Sequence, residues 1–232
     1  MLLDPEDTRL YSRNKNIVFE EKNEERIINK LFAKIITKFR TLTASSSRAV
    51  FSERIIEYPL LFQYLNKKWK YIFDFGCVED LLPIHLASLG YKVTGLDFRQ
   101  YPFSHPNFEF IKANILTWEP PKEKYDCVMS ISTIEHVGLG GYEDPVCNNG
   151  DKIAVRKLLT SLKLKGKFIV TVPFGKFTIK RNMRIYNYEK LHELIPNIEV
   201  ERFFFKPSRY ESWRETSWEE INDFEYEDYY RI

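Results

Sequence analysis

The chain has 232 residues, with 35 Lys and Arg against 33 Asp and Glu, for a formal net charge of +2. That near-balance argues against a dedicated nucleic-acid binder, whose domains carry a strong basic excess. Hydrophobic residues at 44% and aromatics at 16% argue against disorder over most of the chain.

Three cysteines, Cys77, Cys127 and Cys147, are too few and too scattered for a disulfide framework, and no CxxC pair marks a cysteine zinc site. The start, MLLDPEDTRLYSRNK, has no apolar signal core, and no apolar run reaches the roughly 18 residues of a membrane span. A soluble cytoplasmic protein with free thiols is the expectation.

The stretch up to about residue 23 is polar and loop-like. From Glu24 to Leu42, apolar residues recur at three- and four-residue steps, the pattern of one helix face. That face either packs on the domain or meets a membrane surface or a second copy. Thr43 to Arg48 reads as a turn and Phe51 to Asn66 as a second helix. These define an N-terminal helical extension over 1–66, ahead of a larger domain over 67–232.

The larger domain alternates strands with helices. Tyr71-Ile72-Phe73 is a short apolar run that ends in Asp74. A helix over Leu81 to Leu89 closes at Gly90, and a strand from Tyr91 to Leu96 ends in Asp97. Strands follow over Phe108 to Ile111 and Asp126 to Ile131. A helix spans Lys152 to Leu164 with Gly166 closing it, and Asp151 is its expected cap. Phe168 to Val172 is a strand stopped by Pro173, Tyr188 to Leu194 a short helix, and Ile198 to Phe205 a long aromatic strand. Alternation of this kind predicts a mainly parallel sheet with helices on both faces. Ligands in such sheets bind beyond the C-terminal strand ends. Asp74, Asp97, Asn114, Ser130–His136 and Pro173–Lys176 all follow strands.

Asp74-Phe75-Gly76-Cys77 lacks the further glycines of a dinucleotide loop, and Glu79 and Asp80 would repel a pyrophosphate. No P-loop is present. The loop suits a nucleoside without phosphates, with Gly76 allowing close approach to the backbone. Asp97, 21 residues after Gly76, is placed to accept hydrogen bonds from a ribose diol.

DFGC followed by LASLGYKVTGLDFR resembles the first two motifs of class I S-adenosylmethionine-dependent methyltransferases. ISTIEHVGLGGYEDP, with ERIIEYP upstream and VPFGK downstream, resembles a subgroup found among glycan-assembly genes, sugar O-methyltransferases among them. The resemblance implies a Rossmann-like fold with a seven-stranded, mostly parallel sheet. It also implies S-adenosylmethionine as cofactor. Asp74, Gly76 and Cys77 would border its methionine part, Asp97 its ribose, and Phe98, Asn114 and Ile115 its adenine. Ser130 and Ile131 would complete the floor. Val78 stands where the family carries a second glycine, which narrows the loop, and Asn114 replaces the more usual aspartate.

Methyl transfer to a sugar hydroxyl needs alignment and a base. His136 is the candidate general base, with Glu135 holding its ring or touching cofactor. The same pair also serves architecture in other methyltransferases. A divalent ion is the rival use, but Ser132 stands where the Glu-x-x-Glu-His cluster of related enzymes has its first glutamate, so no metal site is assigned. Tyr142, in the glycine-rich loop, and Arg184 and Tyr186, in the basic segment after the fifth strand, are candidate acceptor contacts. The expected acceptor is a carbohydrate. Another small molecule (a phenol or an amine) is the alternative, and a non-catalytic methyltransferase-like scaffold is the third reading.

Overall fold

The computed structural model describes residues 53–141, 145–206 and 212–225. The helix expected over Glu24 to Leu42, the turn after it and Tyr142 lie outside the described residues. Helix α1 (Arg54–Tyr64) leads to strand β1 (Tyr71–Phe75), a 3-10 turn at Cys77–Glu79 and α2 (Leu82–Ser88). Strands β2 (Lys92–Asp97), β3 (Phe108–Lys112) and β4 (Tyr125–Ile131) follow, then a 3-10 turn at Ile134–His136, α3 (Gly150–Ser161) and β5 (Leu162–Thr171). The remainder is the pair β6 (Thr178–Lys180) and β7 (Met183–Ile185), α4 (Tyr188–Leu194), the pair β8 (Phe203–Phe205) and β9 (Arg214–Thr216), and α5 (Trp218–Ile221).

The main sheet is parallel throughout, in the order β3-β2-β1-β4-β5. Central strands of such a sheet are buried on both faces and read as continuous apolar runs. Ile72-Phe73 and Cys127-Val128-Met129 do so, and all five are fully buried. Their side chains alternate between two cores. Phe73, Leu96 and Val128 face Ala154, Val155 and Leu158 of α3 and Leu191 and Leu194 of α4. Ile72, Val93, Cys127 and Met129 face Leu61 of α1 and Leu82 and Leu86 of α2. Phe73 stacks on Tyr125 with ring centroids 4.9 Å apart. Strand order reverses between β1 and β4, so the crevice of the fold opens where Gly76 and Ser132 leave the sheet.

Three expectations are corrected. The main sheet holds five strands among the described residues rather than seven. The aromatic run Ile198 to Phe205 forms strand only at Phe203–Phe205, and it pairs antiparallel with β9 in a separate ribbon. The helix expected to run to Leu164 ends at Ser161. Leu162 satisfies a helical step from Leu158, but Leu162-Lys163-Leu164-Lys165 also alternates, and pairing of Leu162 with Tyr125 selects the strand. Lys165 has φ +65° at the register shift that follows, and Gly166 lies inside β5 rather than beyond a helix. Asp151 is not the cap of α3. Asn149 occupies that position, and the Asp151 carboxylate turns inward to Tyr186.

Candidate functional site

Two loops meet at the crevice. After β1, Gly76 turns the chain with φ +81°, a conformation that favours glycine. A Cβ there would sit 2.1 Å from Thr133 Cγ2, so Thr133 of the post-β4 loop closes directly onto the glycine. The absence of a side chain at Gly76 therefore serves loop-on-loop packing. Asp74, one strand position deeper, is buried, and its Oδ2 has no hydrogen-bond partner among the described residues. Burial pushes its carboxyl well above the usual range, and Asp80 adds to the shift.

Asp97 ends β2 and is buried. Its carboxylate accepts from the Val78 N–H at 3.3 Å and the Arg99 N–H at 2.9 Å. Arg99 also lays its guanidinium fork on it, Nε at 3.3 Å from Oδ1 and Nη2 at 3.3 Å from Oδ2. Val78 thus contributes its backbone to holding Asp97. After β3, Asn114 Oδ1 accepts from the Leu116 N–H at 2.8 Å and forms a local turn. Lys157 Nζ donates to the carbonyls of Ile115, Leu116 and Trp118 and fixes that turn against α3.

Asp97, Phe98, Arg99, Asn114 and Ile115 line one cleft together with Arg54, Gly76, Thr133 and His136. Its volume is about 70 Å³. Cys77, Ser130 and Ile131 are buried and do not line it.

A larger cavity of about 1490 Å³ adjoins it and runs along β5 from His136, Glu135 and Ser132. Glu135 is buried, with no hydrogen-bond partner for its Oε2 among the described residues. Burial, reinforced by the charge of Glu57, pushes its carboxyl up to about 8. Its Oε1 lies 3.9 Å from His136 Nε2. Helix α1 closes this end. Glu57 accepts from Ser132 Oγ at 2.8 Å and is ion-paired to Arg54. Burial works against the Arg54 charge, but Glu57 offsets it and holds the guanidinium above its ordinary pKa. Among the described residues no group of three or more His, Cys, Asp or Glu side chains is placed to hold a metal ion.

Arg184 and Tyr186, expected at the acceptor side, lie inside the protein. Arg184 is 3% exposed, and its Nη1 donates to the carbonyls of Val137 at 2.7 Å and Glu135 at 3.3 Å. Its Nη2 reaches the Asn148 carbonyl at 3.4 Å, and its Nε is 3.5 Å from Asp151. The Tyr186 hydroxyl donates to Asp151 at 3.0 Å. This cluster ties β7 and the residue after it to the loop that carries His136.

The sequence motifs ERIIEYP, LDFR and Ser130–His136 contain Arg54, Glu57, Arg99 and Thr133, but no individual role was assigned to them or to Asn182. A signal existed for the first two, since Arg54, Glu57 and Tyr58 share one helix face at three- and four-residue spacing. Arg99 stands two residues from the proposed ribose ligand. Asn182 sits between short alternating runs, where an asparagine marks a hairpin turn.

Comparison with solved structures agrees with this architecture. One match is the 1,6-didemethyltoxoflavin-N1-methyltransferase of Burkholderia thailandensis, crystallised with 1,6-didemethyltoxoflavin and S-adenosylhomocysteine. It is 12% identical over 85% of this chain and 90% of that chain, with a TM-score of 0.51. Phosphoethanolamine N-methyltransferase 2 of Haemonchus contortus, in complex with S-adenosyl-L-methionine, is 16% identical over 66% of this chain and 39% of that one, with a TM-score of 0.51. A Listeria monocytogenes protein described as a "putative S-adenosylmethionine dependent methyltransferase" is 20% identical over 49% of this chain, with a TM-score of 0.40, and this chain spans about half (53%) of its length. The fold is that of the S-adenosylmethionine-dependent methyltransferases. Residues 97–212, half of the chain, match the family model described as "Caenorhabditis protein of unknown function, DUF268", and the chain belongs to that family. No curated protein matches the sequence. No helix among the described residues is long and apolar enough to cross a membrane.

Proposed function

We propose that this protein transfers a methyl group from S-adenosylmethionine to a sugar hydroxyl of a glycan or glycan precursor, with His136 as general base. One observation carries the reading. The strand-end residues suited to a nucleoside, Asp97, Phe98, Asn114 and Ile115, line the same cleft as His136. Asp97 would accept from the ribose hydroxyls, and Asn114 would sit near the adenine. The buried, unpartnered oxygen of Asp74 fits a ligand that brings its own N–H donors, as the amino-acid end of this cofactor does. When bound, the cofactor supplies an electrophilic methyl on a sulfonium. Arg99 must leave Asp97 to admit a ribose, since its fork uses the same two oxygens. His136 would then take the proton of the acceptor hydroxyl as its oxygen attacks the methyl carbon.

A second acceptor class has its own support. Glu53, Glu57 and Glu135 line the inner end of the large cavity, and a carboxylate-rich wall suits an amine held as its ammonium.

Calorimetric titration of S-adenosylmethionine and S-adenosylhomocysteine tests the cofactor site. Wild type is expected to bind saturably, and Asp97→Ala to bind about 10- to 100-fold more weakly through loss of two charge-assisted hydrogen bonds. Equal affinity in the variant would discard the assigned cofactor mode. Matched glycosides and amino-glycosides, assayed for methyl acceptance with and without chelator, then separate the two acceptor classes and test for a metal.

A further inference from the structure

We propose that the β6–β7 hairpin is a tautomer clamp for His136, with Asn182 as the positioning residue. His136 Nδ1 lies 2.7 Å from the Asn182 carbonyl oxygen. That oxygen can only accept, so the contact is a hydrogen bond only when Nδ1 carries the proton. A neutral imidazole has one N–H. The lone pair therefore resides on Nε2, the nitrogen 3.9 Å from Glu135 Oε1. The clamp thus selects which ring nitrogen is basic.

The carbonyl has a fixed address because of the turn that presents it. Lys180 pairs with Met183 across a two-residue connection, Arg181-Asn182. Both connecting residues have positive φ, +47° and +61°, the signature of a type I′ hairpin turn. Asparagine tolerates this region, whereas a β-branched residue is a steric outlier there.

The hairpin is also seated on the loop that carries the histidine. Arg184, one residue beyond the first of β7, donates to the carbonyls of Glu135 and Val137, the two neighbours of His136. On the far side of the loop, a Cβ on Gly141 would stand 2.5 Å from Asn182 Cβ, so the loop closes tightly over the turn. Donor and acceptor are thereby held from both sides. The role of His136 as base rests on the methyl-transfer reading above. The tautomer itself can be read with no substrate present.

The test is long-range 1H–15N correlation on protein labelled at histidine, at a pH where the ring is neutral. His136 is one of four histidines, and its signals are assigned by their loss in His136→Asn. Wild type is expected to show Nδ1 protonated and Nε2 bare. Asn182→Gly, which keeps the positive φ, is expected to preserve that pattern. Asn182→Val, with Asn182→Ala as the milder variant should valine fail to fold, is expected to shift His136 toward the Nε2–H form. A wild-type ring protonated at Nε2, or an unchanged tautomer in a folded valine or alanine variant whose Lys180–Met183 cross-strand contacts are lost, would overturn the clamp. Once an acceptor is known, the alanine variant should lose roughly tenfold or more in kcat with cofactor affinity unchanged, and the glycine variant should retain it. The expected tautomer in a protein that binds no cofactor would sink the methyl-transfer reading and leave the clamp standing.

Discussion

Replacing Glu135 by glutamine is expected to raise stability by roughly 5 kcal/mol at pH 9 and to change it little near pH 4, from a rise of about three and a half pKa units at about 1.4 kcal/mol each. The Glu135 carboxyl rises from 4.5 to about 8 in the folded protein, chiefly by burial. Between those two values the folded state holds a proton that the unfolded state has released. Stability in wild type therefore falls as pH rises across that window, and the full cost of the buried charge is present above about 8. Glutamine does not titrate, so the gap between variant and wild type should widen from pH 4.5 upward and level off above 8. The groups facing this carboxyl are Glu57 and Glu53, which push it up, Arg54, which opposes them, and His136. Urea unfolding of both proteins at pH 4.5, 7 and 9 checks it. Parallel stability curves would mean that Glu135 is ionised and satisfied throughout.

Arg184→Met is expected to cost about 3–5 kcal/mol, the usual penalty for removing one partner of a buried ion pair. Asp151 would keep the Tyr186 hydroxyl but lose the guanidinium 3.5 Å away. The carbonyls of Glu135 and Val137 would lose their donor in the interior. Adding Asp151→Asn should recover part of the loss, because no unpaired charge then remains. A double-mutant cycle in urea measures the coupling. Additive effects would show that Arg184 acts through the carbonyls and not through Asp151.

The parallel sheet was readable from local signals. Ile72-Phe73 and Cys127-Val128-Met129 are continuous apolar runs, and burial on both faces is their cheapest placement in water. Asp97 was likewise visible as a strand end, whereas Asp74, expected to follow its strand, lies buried inside β1 because Phe75 still pairs with Leu96. Where two local patterns fit the same residues, local signals failed. Leu162 continues the helical spacing of α3 and also begins an alternating run, and Tyr125, 37 residues earlier, decides between them. Ile198 to Phe205 is aromatic enough for a long sheet strand, yet only its last three residues find a pairing partner, in β9.

The site divides in the same way. Gly76, Asp97, Asn114 and His136 line one cleft because parallel-sheet topology gathers strand ends there, whatever the details of packing, whereas Asp74 is buried in β1 and Glu135 lines the adjoining cavity. Arg184 and Tyr186 are of the residue types that bind acceptors, but their distance from solvent depends on how a hairpin closes over a loop. The contact between Asn182 and His136 joins residues 46 apart, and that between Glu57 and Ser132 joins residues 75 apart. By itself, the sequence determined the parallel sheet and which residues stand near its strand ends, because these follow from periodicity and strand termini. Only the tertiary structure decided which ring nitrogen of His136 faces the Asn182 carbonyl and which polar groups among the described residues are buried without a partner, because those depend on distances between segments far apart in the chain.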